Sequence, residues 1–294
     1  MKKIIKLLLR LLPDKWAIQI DYFKRFKKFA NLKNPQTLNE KLQWLKLYNR
    51  KPEYTTMVDK YAVKEYVADI IGEEYIIPTL GVWDRFEDID FDALPNQFVL
   101  KTTHDSGGVV ICKDKSQLDK DAAKRKIEKS LSTNYYWSGR EWPYKNVPPK
   151  IIAEQYITDS PDVDVITDYK FYCFGENVDS VLVCVERETG TPKFYFFDQD
   201  WNLRRYNKRG KEAPEGFTLP KPHKMDEMFQ VALKLAQSCN VPFLRIDLYN
   251  SNGQILFGEL TFFPSSGFDA NRLPETDLYF GSLTNLDQIR KRKK

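Results

Sequence analysis

The sequence predicts an α+β fold, and three observations predict it. Helical periodicity fills residues 39–71, strand-like alternation dominates from Phe98 onward, and the two do not interleave in the βαβ order of a doubly wound sheet. At 294 residues the chain can bury a substantial core in one large or two modest domains. Trp, Tyr and Phe recur from Trp16 to Phe280, which excludes a disordered chain.

Residues 1–37 read as a basic helical segment, in which Lys2, Lys3, Lys6, Arg10, Lys15, Lys24, Arg25, Lys27, Lys28 and Lys33 face only Asp14 and Asp21. Lys6 and Arg10 interrupt the one leucine-rich run, so no stretch approaches the roughly 20 apolar residues of a membrane span. No small-residue cleavage site follows that run, so a cytoplasmic location is the default expectation. Ile4, Ile5, Leu8, Leu9 and Leu12 among these cations suit two readings. One is peripheral contact with the inner face of the cytoplasmic membrane; the other is a helix packed on its own domain with a solvated basic face.

Leu42, Leu45 and Tyr48 recur at helical spacing before Pro52, which breaks the pattern; Met57, Tyr61, Val63, Tyr66, Val67 and Ile70 resume it, and Gly72 stops it. Ile76 to Trp83 is strand-like, and a Pro/Asp-rich connection leads to the strand Phe98 to Leu100. Val109 to Cys112 reads as its return, Lys115 to Leu131 as a polar-faced helix, and Tyr135 to Pro149 as irregular. Strands are expected at Ile151 to Ile157, Tyr169 to Phe174 and Ser180 to Glu186, with a hairpin over Lys193 to Tyr206. The last helix is expected at Met225 to Ser238, with Met228, Val231, Ala232 and Leu235 on one face.

The residue types limit the chemistry. Cys112, Cys173, Cys184 and Cys239 are scattered in apolar settings and read as reduced core residues. With only His104 and His223, a histidine-built zinc site or a Ser/His/Asp triad lacks material, so any metal must sit on carboxylates, which suit magnesium.

Two segments carry the chemistry. In Phe98 to Val110 an apolar strand ends at Lys101 and returns through a loop holding Ser106, Gly107 and Gly108. Glycines let backbone N–H groups close on a phosphate and a lysine supplies a point charge, although an ordinary hairpin with a Gly-Gly turn has the same pattern. No GK[ST] opens a helix, so this is not a Walker A loop. In Phe243 to Phe262, alternation puts Arg245 and Asp247 on one face, Asn252-Gly253 signals a hairpin, and Glu259 and Thr261 share a face of the return strand. A strict two-residue turn would point Glu259 to the other side of the sheet from Asp247. A three-residue loop, or an equivalent bulge, would put both acids on one face with Arg245 opposite Glu259. The acids then either hold a metal or leave a plain Arg245 to Glu259 cross-strand pair.

These pieces in this order, "LNEKLQWLKLYNR", "DKYAVKEYV", "FVLKTTHDSGGVVI", "IIAEQY", "DYKFYCFGE", "LRIDLY" and "GELTFFPSSG", resemble the ATP-grasp superfamily, and most of all its TupA-like branch, found among bacterial capsule and cell-surface polysaccharide genes. The resemblance implies a nucleotide held between two α+β subdomains: an N-terminal region over residues 38–97, a lid over 98–158 and a C-terminal subdomain over 159–294. It implies that Lys101 and Lys60 contact ATP phosphates, that Glu154, Gln155, Tyr156 and Ile157 lie near the base, and that Asp168 is the ribose-binding acid. Asp247 and Glu259 match the Mg2+ ligands and Arg245 the residue steadying the transferred phosphoryl group; Thr261 stands where many such enzymes carry an asparagine ligand.

The implied reaction is phosphorylation of a carboxylate to an acylphosphate, then attack by an amine, here on a sugar carboxylate of a surface polysaccharide or its precursor. Three rivals are a glycosyltransferase, through the DxD patterns Asp162-Val163-Asp164 and Asp198-Gln199-Asp200, a glycan kinase using the same ATP site, and a non-catalytic binding module that kept the fold, toward which Thr261 is the one hint. The second DxD lies between aromatic strands, where a β-turn explains it better. The basic tail Arg290 to Lys294 reads as a solvated terminus, and no nucleic-acid partner is expected.

Overall fold

The structure, a computed structural model, describes residues 10–186 and 189–291. The expectations resting on Lys2 to Leu9 and on Arg292 to Lys294 lie outside the described residues. No helix among those described is long and apolar enough to cross a membrane.

Two antiparallel sheets organise the chain. The smaller contains β1 (Thr79–Trp83), β2 (Phe98–Thr102), β3 (Val109–Cys112) and β4 (Ile151–Gln155) in the order β1-β4-β2-β3. β1, from the segment before residue 98, thus joins the sheet built by residues 98–155. β2 alternates strictly: Phe98, Leu100 and Thr102 are buried, and Val99 and Lys101 face the other way. The helix Lys120–Leu131 covers the buried face with Ala123 and Ile127. That helix starts later than its periodicity suggests, because Asp114 caps a separate 3-10 turn at Lys115–Gln117 and Asp119 accepts from the Ala122 N–H at 2.8 Å to begin the α-helix.

The larger sheet contains β5 (Asp168–Phe174), β6 (Asn177–Val185), β7 (Lys193–Phe197), β8 (Leu203–Arg204), β9 (Leu244–Ser251) and β10 (Gln254–Thr261), in the order β10-β9-β5-β6-β7-β8. The helix Met225–Cys239 lies on one face, burying Met228, Val231, Ala232 and Leu235 as its periodicity requires, with Phe229 edge-on to Phe171 at 5.0 Å. Alternation sends Phe171 and Ile246 under that helix. It leaves Lys170, Tyr172, Arg245 and Asp247 on the opposite face, paired Lys170 to Asp247 and Tyr172 to Arg245 across β5 and β9.

Helices Leu38–Tyr48, Glu53–Val58 and Ala62–Ile71 follow the expected break at Pro52 and stop at Gly72, whose φ is +117°. The first opens on a capping box between Thr37 and Glu40. Met225–Cys239 is not the last helix: Pro274–Leu283 and Asp287–Lys291 follow it. The first of these buries one face made of Thr276, Asp277, Phe280 and Gly281 and exposes Leu278 and Tyr279, so it carries no apolar stripe; its signal is Pro274 at the first turn with Glu275 and Asp277 behind it.

Pro274–Leu283 packs against the segment that leads into Leu38–Tyr48. A Cβ at Gly281 would overlap the carbonyl oxygen of Gln36. Gly to Ala inside a helix ordinarily stabilises by roughly 1 kcal/mol. Gly281→Ala is expected instead to destabilise by about 1–3 kcal/mol through overpacking, read from the urea midpoint; an unchanged or raised midpoint would show that this contact gives way freely.

Candidate functional site

Lys101 projects from the cleft face of the small sheet, and Glu154 stands on the same face of the adjacent β4. The Glu154 carboxylate is buried and takes two cations, the Lys101 ammonium and that of Lys64 at 2.6 Å. Burial pushes the Glu154 carboxyl up, but the Lys101 and Lys64 charges outweigh it and hold it below the usual range. Burial pulls Lys64 below an ordinary lysine, with Glu154 opposing.

The β2–β3 loop is built around Asp105. Its carboxylate accepts from Thr102 Oγ1 at 2.5 Å, from the Ser130 hydroxyl and from the Gly108 N–H at 3.1 Å, and its carbonyl accepts from Lys60 Nζ. Gly108 is required by this packing, since a Cβ there would overlap the Thr102 and Ser130 hydroxyls; a Cβ at Gly107 would meet only the Asp105 carboxylate, at an ordinary contact of 3.6 Å. Ser106 donates to the Tyr135 hydroxyl at 3.1 Å.

The hairpin settles its register by the second of the two expected routes, a bulge. The turn is the two-residue Asn252-Gly253, with φ of +52° and +80°, closed by Ser251 opposite Gln254. The three-residue loop does not form; a bulge between Phe257 and Glu259 shifts the register instead. Glu259 consequently opposes Asp247, and Thr261, not Glu259, opposes Arg245. Gly258 is the inserted residue, where a Cβ would stand 2.9 Å from the Tyr249 ring and 3.0 Å from the Asp247 carbonyl oxygen.

Arg245 ties the group together. Its Nε and Nη2 donate to Asp247 at 2.6 and 2.7 Å, and Nη2 also reaches Glu259 and Thr261, both at 3.0 Å. The buried Asp247 accepts a further bond from Lys170 at 2.7 Å. Burial raises Asp247, but Arg245 and Lys170 outweigh it and keep the carboxyl below the usual range. The Glu259 side chain is 39 % exposed and opens to the cleft. Asp168 stands on β5 beside Lys170, 3.6 Å from its ammonium.

Lys60 joins the halves. Burial lowers it, and the carboxylates of Glu259, Asp105 and Glu154 pull the other way while Lys101 adds repulsion, so charges from both sheets act on one ammonium. The loop after β10 is fixed from behind. Ser265, Ser266 and Gly267 take consecutive left-handed φ values of 50°, 52° and 64°. Buried Lys46, pulled down to about 8 by burial, donates to the Ser266 carbonyl at 2.7 Å, and Ser266 Oγ donates to Glu141 at 2.5 Å.

Beyond Arg245 the same sheet face continues over β5, β6 and β7 as an open cleft of 710 Å³, whose lining includes Lys170, Lys193, Lys208, Arg209, Arg245 and Ser265.

Lys60, Lys101, Ser106, Gly107, Gly108 and Glu154 are therefore gathered on one wall, and Arg245, Asp247, Glu259 and Thr261 on the other. Gln155 ends β4, its N–H bonded to the Pro78 carbonyl at 3.0 Å. Tyr156 and Ile157 lie in the connection after the strand, where the Tyr156 hydroxyl donates to Asp164. The DxD patterns do not converge on the site: Asp164 pairs with Lys113 at 2.5 Å on the surface, and Asp198 accepts from the Asn202 N–H at 2.8 Å within a turn. Lys46, Lys64, Asp105 and Glu141 escaped the sequence reading. Lys64 alone had a signal, its spacing of four from Lys60.

Among the described residues no cluster of three His, Cys, Asp or Glu side chains forms a self-sufficient metal cage. Two facing carboxylates and a hydroxyl nevertheless fit Mg2+, which is bound through one or two carboxylates together with substrate phosphates.

A family model described as TupA-like ATPgrasp matches residues 40–285. No curated protein matches the sequence. Among solved structures, the ATP-grasp ligase PsnB with a minimal precursor is 12% identical, covering 80% of this chain and 62% of its own, with a TM-score of 0.43. D-alanine–D-alanine ligase of Bacillus anthracis complexed with ATP is 16% identical over 80% of this chain and 66% of its own, with a TM-score of 0.45. D-alanyl-alanine synthetase A of Vibrio cholerae is 12% identical over 80% and 65%, with a TM-score of 0.45. The chain thus spans less than two thirds of the length of each of these three.

Glu154→Gln leaves Lys64 and Lys101 without their shared counter-charge and is expected to destabilise the protein by about 3 kcal/mol at neutral pH. The folded carboxyl titrates below its ordinary 4.5, so this stabilisation is complete above that value and is lost as pH falls through the lower folded one. Denaturation of both proteins across pH should show the gap closing in acid; a gap independent of pH would rule out the ion pairs as its source.

Proposed function

The chain belongs to the TupA-like ATP-grasp family, and from that premise we propose that it is a carboxylate–amine ligase whose nucleotide lies between the two walls and whose acidic acceptor lies in the basic cleft. ATP-grasp enzymes use ATP with Mg2+. The observation carrying the proposal is the place of Arg245, which bonds Asp247, Glu259 and Thr261 on one side and lines the cleft on the other.

In this reading Lys101 and Lys60 meet the ATP phosphates, and Glu154 holds Lys101 in place. Gly107 and the Ser106 hydroxyl close the loop over them, with Gln155, Tyr156 and Ile157 toward the base. Asp168 is the expected ribose acid, and its pairing with Lys170 sets it beside the acceptor cleft as well. Asp247, Glu259 and Thr261 would hold Mg2+. The metal supplies charge neutralisation to the phosphates when bound.

The acceptor carboxylate oxygen attacks the γ-phosphorus, the bond to ADP breaks, and an acylphosphate forms. An amine then attacks the carbonyl carbon, loses a proton, and phosphate leaves. Positioning and fixed positive charge carry the first step, so no side-chain nucleophile is needed. All four cysteines are buried and free, in keeping with that. Lys170, Lys193, Lys208 and Arg209 suit an anionic acceptor. The family resemblance directs this to a sugar carboxylate of a bacterial surface polysaccharide or its precursor.

ATP with Mg2+ at about a hundred times its dissociation constant is expected to stabilise the protein by roughly 2.7 kcal/mol, read as a raised thermal midpoint. Lys101→Ala and Glu259→Ala should each remove the shift. Stabilisation by UDP-sugars but not by ATP would overturn the reading in favour of a glycosyltransferase. With an acidic glycan supplied, ADP and phosphate released only when an amine is present marks the ligase, whereas a phosphorylated glycan marks a kinase.

A further inference from the structure

The helix Asp14–Phe26 buries Ala17, Ile18 and Tyr22 against the body of the protein. Its outward face is apolar where a surface helix is ordinarily polar. Trp16 is 61% exposed and Phe23 45% exposed, and their spacing of seven puts both on one face. Phe29, 64% exposed, stacks on Phe23 with ring centroids 5.1 Å apart, and Leu11, just upstream, is 79% exposed. Scattered apolar residues on a surface need no explanation, but a continuous aromatic stripe does.

The stripe is held in one orientation. Asp14 at the helix start accepts from Arg50 at 2.5 Å, from the Tyr136 hydroxyl at 2.5 Å and from Arg140 at 2.9 Å. The helix is thereby locked to two other segments, and its outward face cannot turn inward without breaking this group.

Charge identifies what covers the stripe. Lys15, Lys24 and Arg25 are exposed on the same helix and Lys27 and Lys28 on the turn between Phe23 and Phe29. The two acids of the helix are both engaged, Asp14 as above and Asp21 with Lys24 at 3.0 Å. A second copy of the chain would bring the same cations face to face. Aromatic side chains amid lysines and arginines match the boundary of an anionic bilayer, where rings sit among headgroups and basic side chains meet lipid phosphates.

We propose that Trp16, Phe23 and Phe29, with the surrounding lysines and arginine, form a docking face that seats the enzyme on an anionic phospholipid surface. The upstream sequence, with Lys2, Lys3 and Lys6 among Ile4, Ile5, Leu8 and Leu9, has the same composition.

The test is co-sedimentation of the full chain with vesicles of phosphatidylcholine alone or with about one-third phosphatidylglycerol. Binding to the anionic vesicles should be at least about tenfold tighter and should weaken with salt. The combined variant Trp16→Ala/Phe23→Ala/Phe29→Ala should lose at least about tenfold in that binding. So should Lys24→Glu/Lys27→Glu/Lys28→Glu. All six side chains are exposed, and both variants should keep the wild-type thermal midpoint. The proposal is overturned if the wild-type chain ignores anionic vesicles, if both variants bind as it does, or if it dimerises without lipid and the aromatic variant is monomeric.

Discussion

One residue in excess on β10 sets the chemistry of the larger sheet. If Gly258 paired regularly instead of bulging, the two-residue turn would carry its register unbroken along the hairpin, and Glu259 would oppose Ile246 on the face covered by Met225–Cys239. The bulge reverses the alternation for the rest of the strand, so Glu259 and Thr261 emerge beside Asp247 and Arg245. A side chain at the bulge would press on Tyr249 and on the Asp247 backbone, so glycine is what lets the strand kink there without moving the acid it serves.

From that register follows a division of one sheet face into two chemistries. Near β10 the face carries Asp247 and Glu259; across β5, β6 and β7 it carries lysines and aromatic rings. Arg245 and Lys170 stand at the boundary and are bonded to the acids, so they are fixed before any ligand arrives. The small sheet supplies the opposite wall by the same means, with Glu154 fixing Lys101 and Lys64. Lys101, Lys64, Arg245 and Lys170 are thus held by buried carboxylates and Lys60 by a backbone carbonyl, and pre-organisation of this kind suits transfer without a side-chain nucleophile.

Much of this was legible in the sequence, and the exceptions share a cause. Period-two alternation fixed which residues of β2, β9 and β10 share a face, and the helical stripe of Met225–Cys239 was plain because it has one buried side. Pro274–Leu283 was missed because its buried face holds Thr276, Asp277 and Gly281 with Phe280, while Leu278 and Tyr279 point to solvent, so no apolar stripe marks it. The hairpin chemistry was left conditional because an Asn-Gly turn announces a two-residue loop and gives no sign of a bulge five residues later; an interior glycine at 258 was the available hint. Lys46 and Glu141 were out of reach altogether. They are brought together by the fold from residues 95 apart, and nothing local marks a lysine that will be buried under a strained serine turn.

The resting charge balance also bears on why a metal accompanies the nucleotide. Lys101 and Lys64 are already matched by Glu154, Arg245 and Lys170 by Asp247, and Lys60 by the Asp105 carbonyl with Glu259 nearby. A triphosphate entering this cleft meets cations that are partly spent on the protein's own acids, and it brings its charge close to Glu259, which is open and has no lysine bonded to it among the described contacts. In the proposed reading a divalent cation held with the help of Glu259 would supply positive charge that offsets that repulsion. The hard oxygen set of Glu259, Asp247 and Thr261 is therefore not only compatible with magnesium. Given how the lysines are already engaged, Glu259 is the acid whose charge a bound magnesium would most help to balance in that reading.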